Sequence, residues 1–401
     1  MTTVFQITSR PILILSKCIG LIDISYIVEP TGLLVYNINS TCHVFLEIIR
    51  MIVLTICTFV YFKQFDQDVH IIQIIHIIQF WIVIIAARLS TIQIIKFING
   101  IIEFDRKIKT LSKNLIIPQR LWKKKHWDIT YISILAYFIL FKFFQFYLLH
   151  PKIENIQILV HHAFFSSPYL MDYVVTISSC FFLQNIYVRF QMLNDIWKCL
   201  PADLVTVSNQ WTYNEIVGAM ENTRLLHSEL CELLKMFTLG YGPLLLCFFT
   251  SSFICMLLSF YFFINIRSII VIQSTKTDLS RIISLIVHVQ IVMFLMSVTI
   301  FVSMINVKRL EIISYLRSYR ISNLHLDIKR QIKMFMSQIS ACGSDQISAY
   351  GFFDINLNLV TTIIVLLISG IITLIQMKNH PLMLQLNNDT KSYLDKIYNE
   401  I

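Results

Sequence analysis

The chain has 401 residues, 56% of them hydrophobic and only 14% charged, with a mean hydropathy of +0.67. Charged residues make up roughly 25% of a soluble domain, so no water-soluble core could absorb this apolar surplus and an ordinary globular protein is excluded. The formal charge of +9 would suit nucleic acid, but the basic residues gather in loops between long apolar segments, which points to a lipid bilayer and not to nucleic acid.

The amino-terminal stretch Pro11 to Ile22 is apolar but broken by Lys17, and it lacks a small-residue cleavage site. It reads as a short segment on or near the inner face of the membrane, not as a signal peptide. A hydrocarbon core of about 30 Å needs roughly 20 helical residues. The first segment to meet that length runs from Cys42 to Phe62, and the second from Val69 to Lys96. A basic run follows, with Arg106, Lys107, Lys109, Lys113, Arg120, Lys123, Lys124 and Lys125. The third segment covers Asp128 to Leu149 and the fourth Phe165 to Phe190. The loop between them carries His161-His162, which lacks the carboxylate or Cys partners of a metal site.

The stretch from Asn194 to Met236 is acidic. Within it Glu221, Arg224, Ser228, Glu229 and Glu232 oppose Leu226, Leu230, Leu233 and Leu234, which predicts an amphipathic helix continuing into the fifth segment, Thr238 to Ile264. The sixth segment is Ile282 to Val307. After it come Lys308, Arg309, Arg317, Arg320, Lys329, Arg330 and Lys333, interleaved with an apolar stripe of Ile328, Ile332, Phe335, Met336 and Ile339. The seventh segment spans 355–377.

The expected fold is an all-α membrane protein of seven transmembrane helices in one domain over 1–401. Lys and Arg are retained in the cytoplasm, so the two basic loops put the amino terminus inside and the carboxyl terminus outside. The long inner connections are expected to form helical extensions packed beneath the membrane as an anchor region. All nine cysteines fall in predicted helices or inner segments, and the outer loops have none, so no external disulfide is expected.

Two sets of residues are candidates for function. In the predicted outer halves of the spans lie His76 and Gln79, Lys142 and Gln145, Asp172, Tyr173 and Thr176, Tyr261, and His288 and Gln290. Polar residues at membrane depth are candidates for a site, and these could converge on one outward-opening cavity with aromatic walls. In the last helix Asn358, Thr362, Val365, Ser369, Ile372 and Gln376 recur at alternating steps of four and three, which keeps one face on a common axis. That face suits a pore lining; the alternative is that the Ser and Thr hydroxyls bond only the backbone or a neighbouring helix. Around an axis, Ile372 would form an apolar gate with Gln376 as a polar ring at the mouth. Asp354 is expected to cap the helix.

Enzyme signatures are lacking: there is no G-x-S-x-G, no H-E-x-x-H and no Gly-rich phosphate loop, and neither a catalytic residue nor a cofactor is expected. Leu15-Ser16-Lys17-Cys18-Ile19-Gly20-Leu21, Phe97 through Phe104-Asp105, Arg224-Leu225-Leu226-His227, and Phe335-x-x-Gln338 followed by Tyr350-Gly351-Phe352-Phe353-Asp354 resemble the insect gustatory receptors over the whole chain. That family ends in Thr-Tyr, five apolar residues, then Gln-Phe. Here Ser369-Gly370, Ile371 to Ile375 and Gln376-Met377 stand at those positions, so only the Gln is kept to the letter.

The resemblance implies a plasma-membrane chemoreceptor of sensory neurons that is itself a ligand-gated, non-selective cation channel. It implies a homotetramer, or a heterotetramer with related receptors, built around the last helix and passing monovalent and divalent cations. Sugar-tuned members often carry a Glu where Ile371 stands, which argues against a sugar, and the aromatic, apolar outer cavity suits a small tastant of the bitter plant type. Insect odorant receptors share the architecture and are the nearest rival. A heptahelical G-protein-coupled receptor would need the opposite orientation, an Asn-Pro-x-x-Tyr motif and an outer disulfide. A secondary transporter would show repeats or broken helices.

Overall fold

The computed structural model describes residues 4–22, 26–29, 33–36, 41–63, 71–114, 124–149, 170–198, 213–266, 275–318, 325–342, 347–377, 379–381, 384 and 388. Nine helices run in chain order through these residues: α1 (Val4–Ile19), α2 (Thr41–Lys63), α3 (Ile71–Asn114), α4 (Lys124–Leu149), α5 (Leu170–Lys198), α6 (Tyr213–Ile266), α7 (Thr275–Ser318), α8 (Leu326–Cys342) and α9 (Leu357–Gln376). Within the described residues, each of the seven expected spans overlaps one of α2 to α7 or α9; the expected starts at Val69 and Phe165 lie outside the described residues. Among the described residues, four stretches are long and apolar enough to cross a membrane: Ile77–Lys109, Asn214–Leu258, Leu285–Arg317 and Leu357–Gln376.

Three helices are far longer than a bilayer needs. α3 and α7 have 44 residues each and α6 has 54, lengths of about 65 to 80 Å at 1.5 Å per residue. They pack in pairs, α3 on α6 and α5 on α7, with α5 also on α6. α5 is the central post, since every residue from Tyr173 to Leu183 is buried. A helix buried all round must satisfy its polar side chains locally. Thr176 Oγ1 donates to the Asp172 carbonyl at 2.7 Å and Ser178 Oγ to that of Val174 at 2.7 Å. An aromatic cluster closes this layer: the Phe97 ring lies 5.5 Å from Phe182 and 5.5 Å from Phe237, and Phe237 stacks on Tyr241 at 5.0 Å.

A second, smaller core lies where the far ends of α5 and α7 meet the start of α6 and α8. Trp197, Ile216, Met220, Ile312, Leu316 and the α8 stripe Ile328, Ile332, Phe335 and Ile339 are buried together, with Met336 packed at the edge. This contact accounts for the apolar periodicity of α8, whereas Leu226, Leu230, Leu233 and Leu234 of α6 are buried in the main core.

Two features depart from the expectation. A two-stranded antiparallel hairpin, β1 (Tyr26–Val28) with β2 (Leu34–Tyr36), interrupts the all-helical pattern. Aromatic and β-branched residues favour strand over helix there. Asn99 of α3 pins it, accepting from Leu34 N at 2.8 Å and donating to Leu34 O at 2.9 Å. The cap of α9 is not Asp354 but Asn356, whose Oδ1 accepts from Leu359 N at 3.1 Å. Asp354 is instead bridged to Ser348 in a tight hairpin whose turn has positive φ at Tyr350 (53°) and Gly351 (80°). Phe352 N donates to Ala349 O at 3.1 Å, so this is a type I′ turn, which needs φ above zero at both central residues.

Candidate functional site

The residues expected in the outer halves of the spans are partly brought together. Gln79 Nε2 of α3 donates to Asp172 Oδ2 of α5 at 3.3 Å. The Lys142 ammonium of α4 lies 5.8 Å from the centroid of Phe138, and Phe138 stacks on Tyr173 at 4.3 Å. Tyr173 also meets Phe294 of α7 at 6.2 Å, one turn from Gln290. His288 of α7 lies against Phe260 of α6 at 5.4 Å. The side chains of His76 and Tyr261 lie outside the described residues, as does His161-His162. The joining element is an aromatic ladder, Phe138, Tyr173 and Phe294, that hydropathy alone does not mark.

Half of the described candidates are tightly packed: Tyr173 is 0% exposed, Thr176 2%, and Gln145 and Gln290 7% each, while Gln79, Lys142, Asp172 and His288 are half-buried. Both amide atoms of Gln290 lack a hydrogen-bond partner among the described residues. A buried amide without partners carries a cost of about 1–3 kcal/mol that a ligand or a water can relieve. A cavity of about 370 Å³ opens between α1, α2, α3 and α5. None of the eight candidates whose side chains are described is among its lining residues, although its Phe80 and Met171 neighbour Gln79 and Asp172 in sequence.

α9 is built differently from every other helix. None of its residues is buried. Leu359, Ile363 and Leu367 rest against the core, and a Cβ added to Gly370 would come within 2.9 Å of Leu257 Cδ1. The helix therefore touches α6 and α7 along one narrow seam. Asn358, Thr362, Val365, Ser369, Ile372 and Gln376 are all exposed, Val365 by 59% and Ile372 by 51%. Two hydroxyls of the stripe bond the helix itself, Thr362 to the Asn358 carbonyl at 3.0 Å and Ser369 to that of Leu366 at 3.1 Å. The alternative use of Ser and Thr is thus present alongside the exposed face.

The extensions carry the remaining motif residues, and here distant segments meet. Arg189 donates to Asp105 through Nε at 2.9 Å and Nη2 at 2.7 Å, a bidentate pair between α3 and α5. Arg224 Nη1 donates to Gln338 Oε1 at 2.9 Å, and Gln338 Nε2 returns a bond to the Arg224 carbonyl at 3.0 Å, joining α6 to α8. His227 sits between Phe190 (5.6 Å) and Phe335 (5.4 Å) with Nδ1 3.7 Å from Cys231 Sγ. Burial pushes its pKa down to about 4. Glu221 is held below the usual carboxylate range by its hydrogen bond from Arg224, and Glu311 by one from Lys308.

Sequence reasoning passed over one constellation. Glu47 and Arg50 of α2 and Arg88 of α3 are ionisable residues inside the first two expected spans, a signal in its own right. Arg50 and Arg88 both pair with Glu47, and Arg50 Nη1 also donates to the carbonyl of Lys17 at 2.7 Å. Among the described residues no group of His, Cys, Asp and Glu could hold a metal ion. A family model described as 7tm Chemosensory receptor matches residues 9–379. Comparison with curated proteins found no match.

Proposed function

The chain belongs to the 7tm chemosensory receptor family, that of the insect gustatory receptors, and we propose that it is a gustatory receptor working as a ligand-gated cation channel for a bitter-type plant compound. The family consists of multi-pass membrane receptors with seven spans and not of enzymes. The observation that carries the channel reading is α9: an apolar helix with no buried residue, held along one seam, whose opposite face bears the 3.5-residue stripe. A membrane helix left this bare on its polar side requires a partner surface, and three further copies around a four-fold axis would supply it.

In this arrangement Val365, Ser369, Ile372 and Gln376 ring the axis, and Ile372 blocks ions by dewetting when the subunits are close. The stripe carries no ionised side chain, which suits weak discrimination among cations. Ligand residues Tyr261, His288 and Gln290 belong to α6 and α7, the same two helices on which α9 rests. A tastant seated against Gln290 and Tyr173 would therefore shift the helices that hold the gate. The sensory-neuron plasma membrane, with the amino terminus inside, is the setting this reading requires.

Cysteine replacements along α9 test the face. Water-soluble thiol reagents applied during activation should modify replacements at Ser369, Ile372 and Gln376 and spare those at Leu366, Gly370 and Leu374, in a background cleared of native thiols. Replacing Ile372 by Ser should hydrate the constriction and give current without ligand. Modification confined to the opposite face, or uniform protection, would refute the pore assignment.

A further inference from the structure

We propose that the cavity between α1, α2, α3 and α5 is a binding site for a small, neutral, hydrocarbon-rich molecule, separate from the polar cluster. It is independent of whether α9 lines a pore. Val53 and Leu54 of α2, Phe80 of α3 and Met171 of α5 make its walls, with Cys18 at the end of α1. Among its described lining residues, Arg50 is the one charged residue. At about 30 Å³ per water-sized volume, 370 Å³ corresponds to roughly a dozen heavy atoms. That lies at the lower end of the 300–1,000 Å³ range of ligand pockets.

The charge does not call for an anion. Arg50 is the clasp of α1: Nη1 donates to the carbonyls of Lys17 at 2.7 Å and Ile22 at 3.4 Å, and Nη2 to Glu47. Those carbonyls end α1, where Leu21 N closes back on Ser16 O at 2.8 Å around Gly20, whose φ is 101°. A carboxylate or phosphate reaching the guanidinium would compete with Glu47 and with the helix end, whereas an alkyl or ring body meets the apolar side chains of Val53, Leu54, Phe80 and Met171.

The packing of α2 explains why space is left there. Leu54 alone among its described side chains is buried, while Phe45, Ile48, Ile52 and Phe59 are exposed. The helix is clasped at Arg50, and one turn on Val53 and Leu54 face the cavity shared with Phe80 and Met171. An apolar gap forfeits the dispersion contacts of every atom lining it, and a hydrocarbon occupant restores them. That occupant has two sources, an acyl chain of the bilayer or a free apolar molecule.

The test uses the full-length receptor in lipid nanodiscs and a neutral aliphatic alcohol of about ten carbons, sized to the cavity, bearing a photoreactive diazirine. Labelled peptides are mapped by mass spectrometry. Labelling should concentrate on the segments holding Val53-Leu54 and Leu170-Met171, and excess unlabelled alcohol should suppress it while the carboxylate of equal length does not. Suppression by added phospholipid assigns the natural occupant to a bilayer acyl chain; its persistence assigns a free molecule.

Leu54→Trp should cut labelling about tenfold or more by filling the space, with Leu46→Trp on the exposed face as the control. Met171→Phe serves if Leu54→Trp does not assemble. Labelling spread along Phe45, Ile52 and Phe59, unchanged labelling in the filled variants, or stronger competition by the carboxylate would overturn the proposal.

Discussion

Acid should loosen the extension through His227, and the size of the effect follows from its surroundings. The imidazole is 1% exposed, between Phe190 and Phe335, and burial lowers its pKa from 6.5 to about 4. The folded state therefore keeps the ring neutral where the unfolded chain has already taken up a proton. Stability is complete above pH 6.5, falls as pH drops from 6.5 to about 4, and levels off below. The fall from 6.5 to about 4, at roughly 1.4 kcal/mol per pH unit, amounts to about 3 kcal/mol over that window. Glu221 and Glu311 have lowered pKa values, so their contributions are lost only as pH falls below the ordinary carboxylate range and do not overlap most of the histidine window. Thermal unfolding of the purified receptor, read at pH 7, 6, 5 and 4.5, should show a midpoint that falls by several degrees. His227→Phe, which keeps the ring contacts and removes the titration, should flatten that fall; His227→Gln does the same if the phenylalanine variant folds poorly. An unchanged decline in a variant that matches the parent at pH 7 would show that His227 is not the group being titrated.

Other substitutions probe the packing and the orientation. A Cβ at Gly242 would lie 2.9 Å from Tyr350 N, so Gly242→Ala should cost about 1–3 kcal/mol and lower surface expression. Gly218, with nothing within 4 Å, should gain about 0.5–1 kcal/mol on replacement by Ala, measured as a raised unfolding midpoint. Asp105→Asn removes the counterion of Arg189, 5% exposed, and should cost about 3–5 kcal/mol, read as loss of folded receptor on size exclusion. A carboxyl-terminal tag should stain unpermeabilised cells and the acceptor Asn388-Asp389-Thr390 should be glycosylated, while Asn39-Ser40-Thr41 stays unmodified; the reverse pattern would invert the proposed topology.

The local sequence by itself determined seven apolar helices in order, the two amphipathic extensions and the two faces of α9. Run length and a 3.5-residue repeat act over neighbouring residues, so the stripe at Val365, Ser369 and Ile372 is legible without any partner, whereas which apolar residues form the seam, Ile363 and Leu367, needed the fold. The turn chemistry of Tyr350-Gly351 was also present in the letters, yet its register was not, and the cap moved from Asp354 to Asn356.

Only the tertiary structure decided which distant residues meet. Arg189 and Asp105 are 84 residues apart, and Arg224 and Gln338 are 114 apart; nothing in either segment names its partner, because pairing is set by how α3, α5, α6 and α8 lie against one another. The aromatic ladder from Phe138 through Tyr173 to Phe294, and the space left beneath α2 by the clasp at Arg50, arise in the same way. Such contacts depend on helix rotation and spacing, which many side chains settle jointly and no short stretch of sequence encodes.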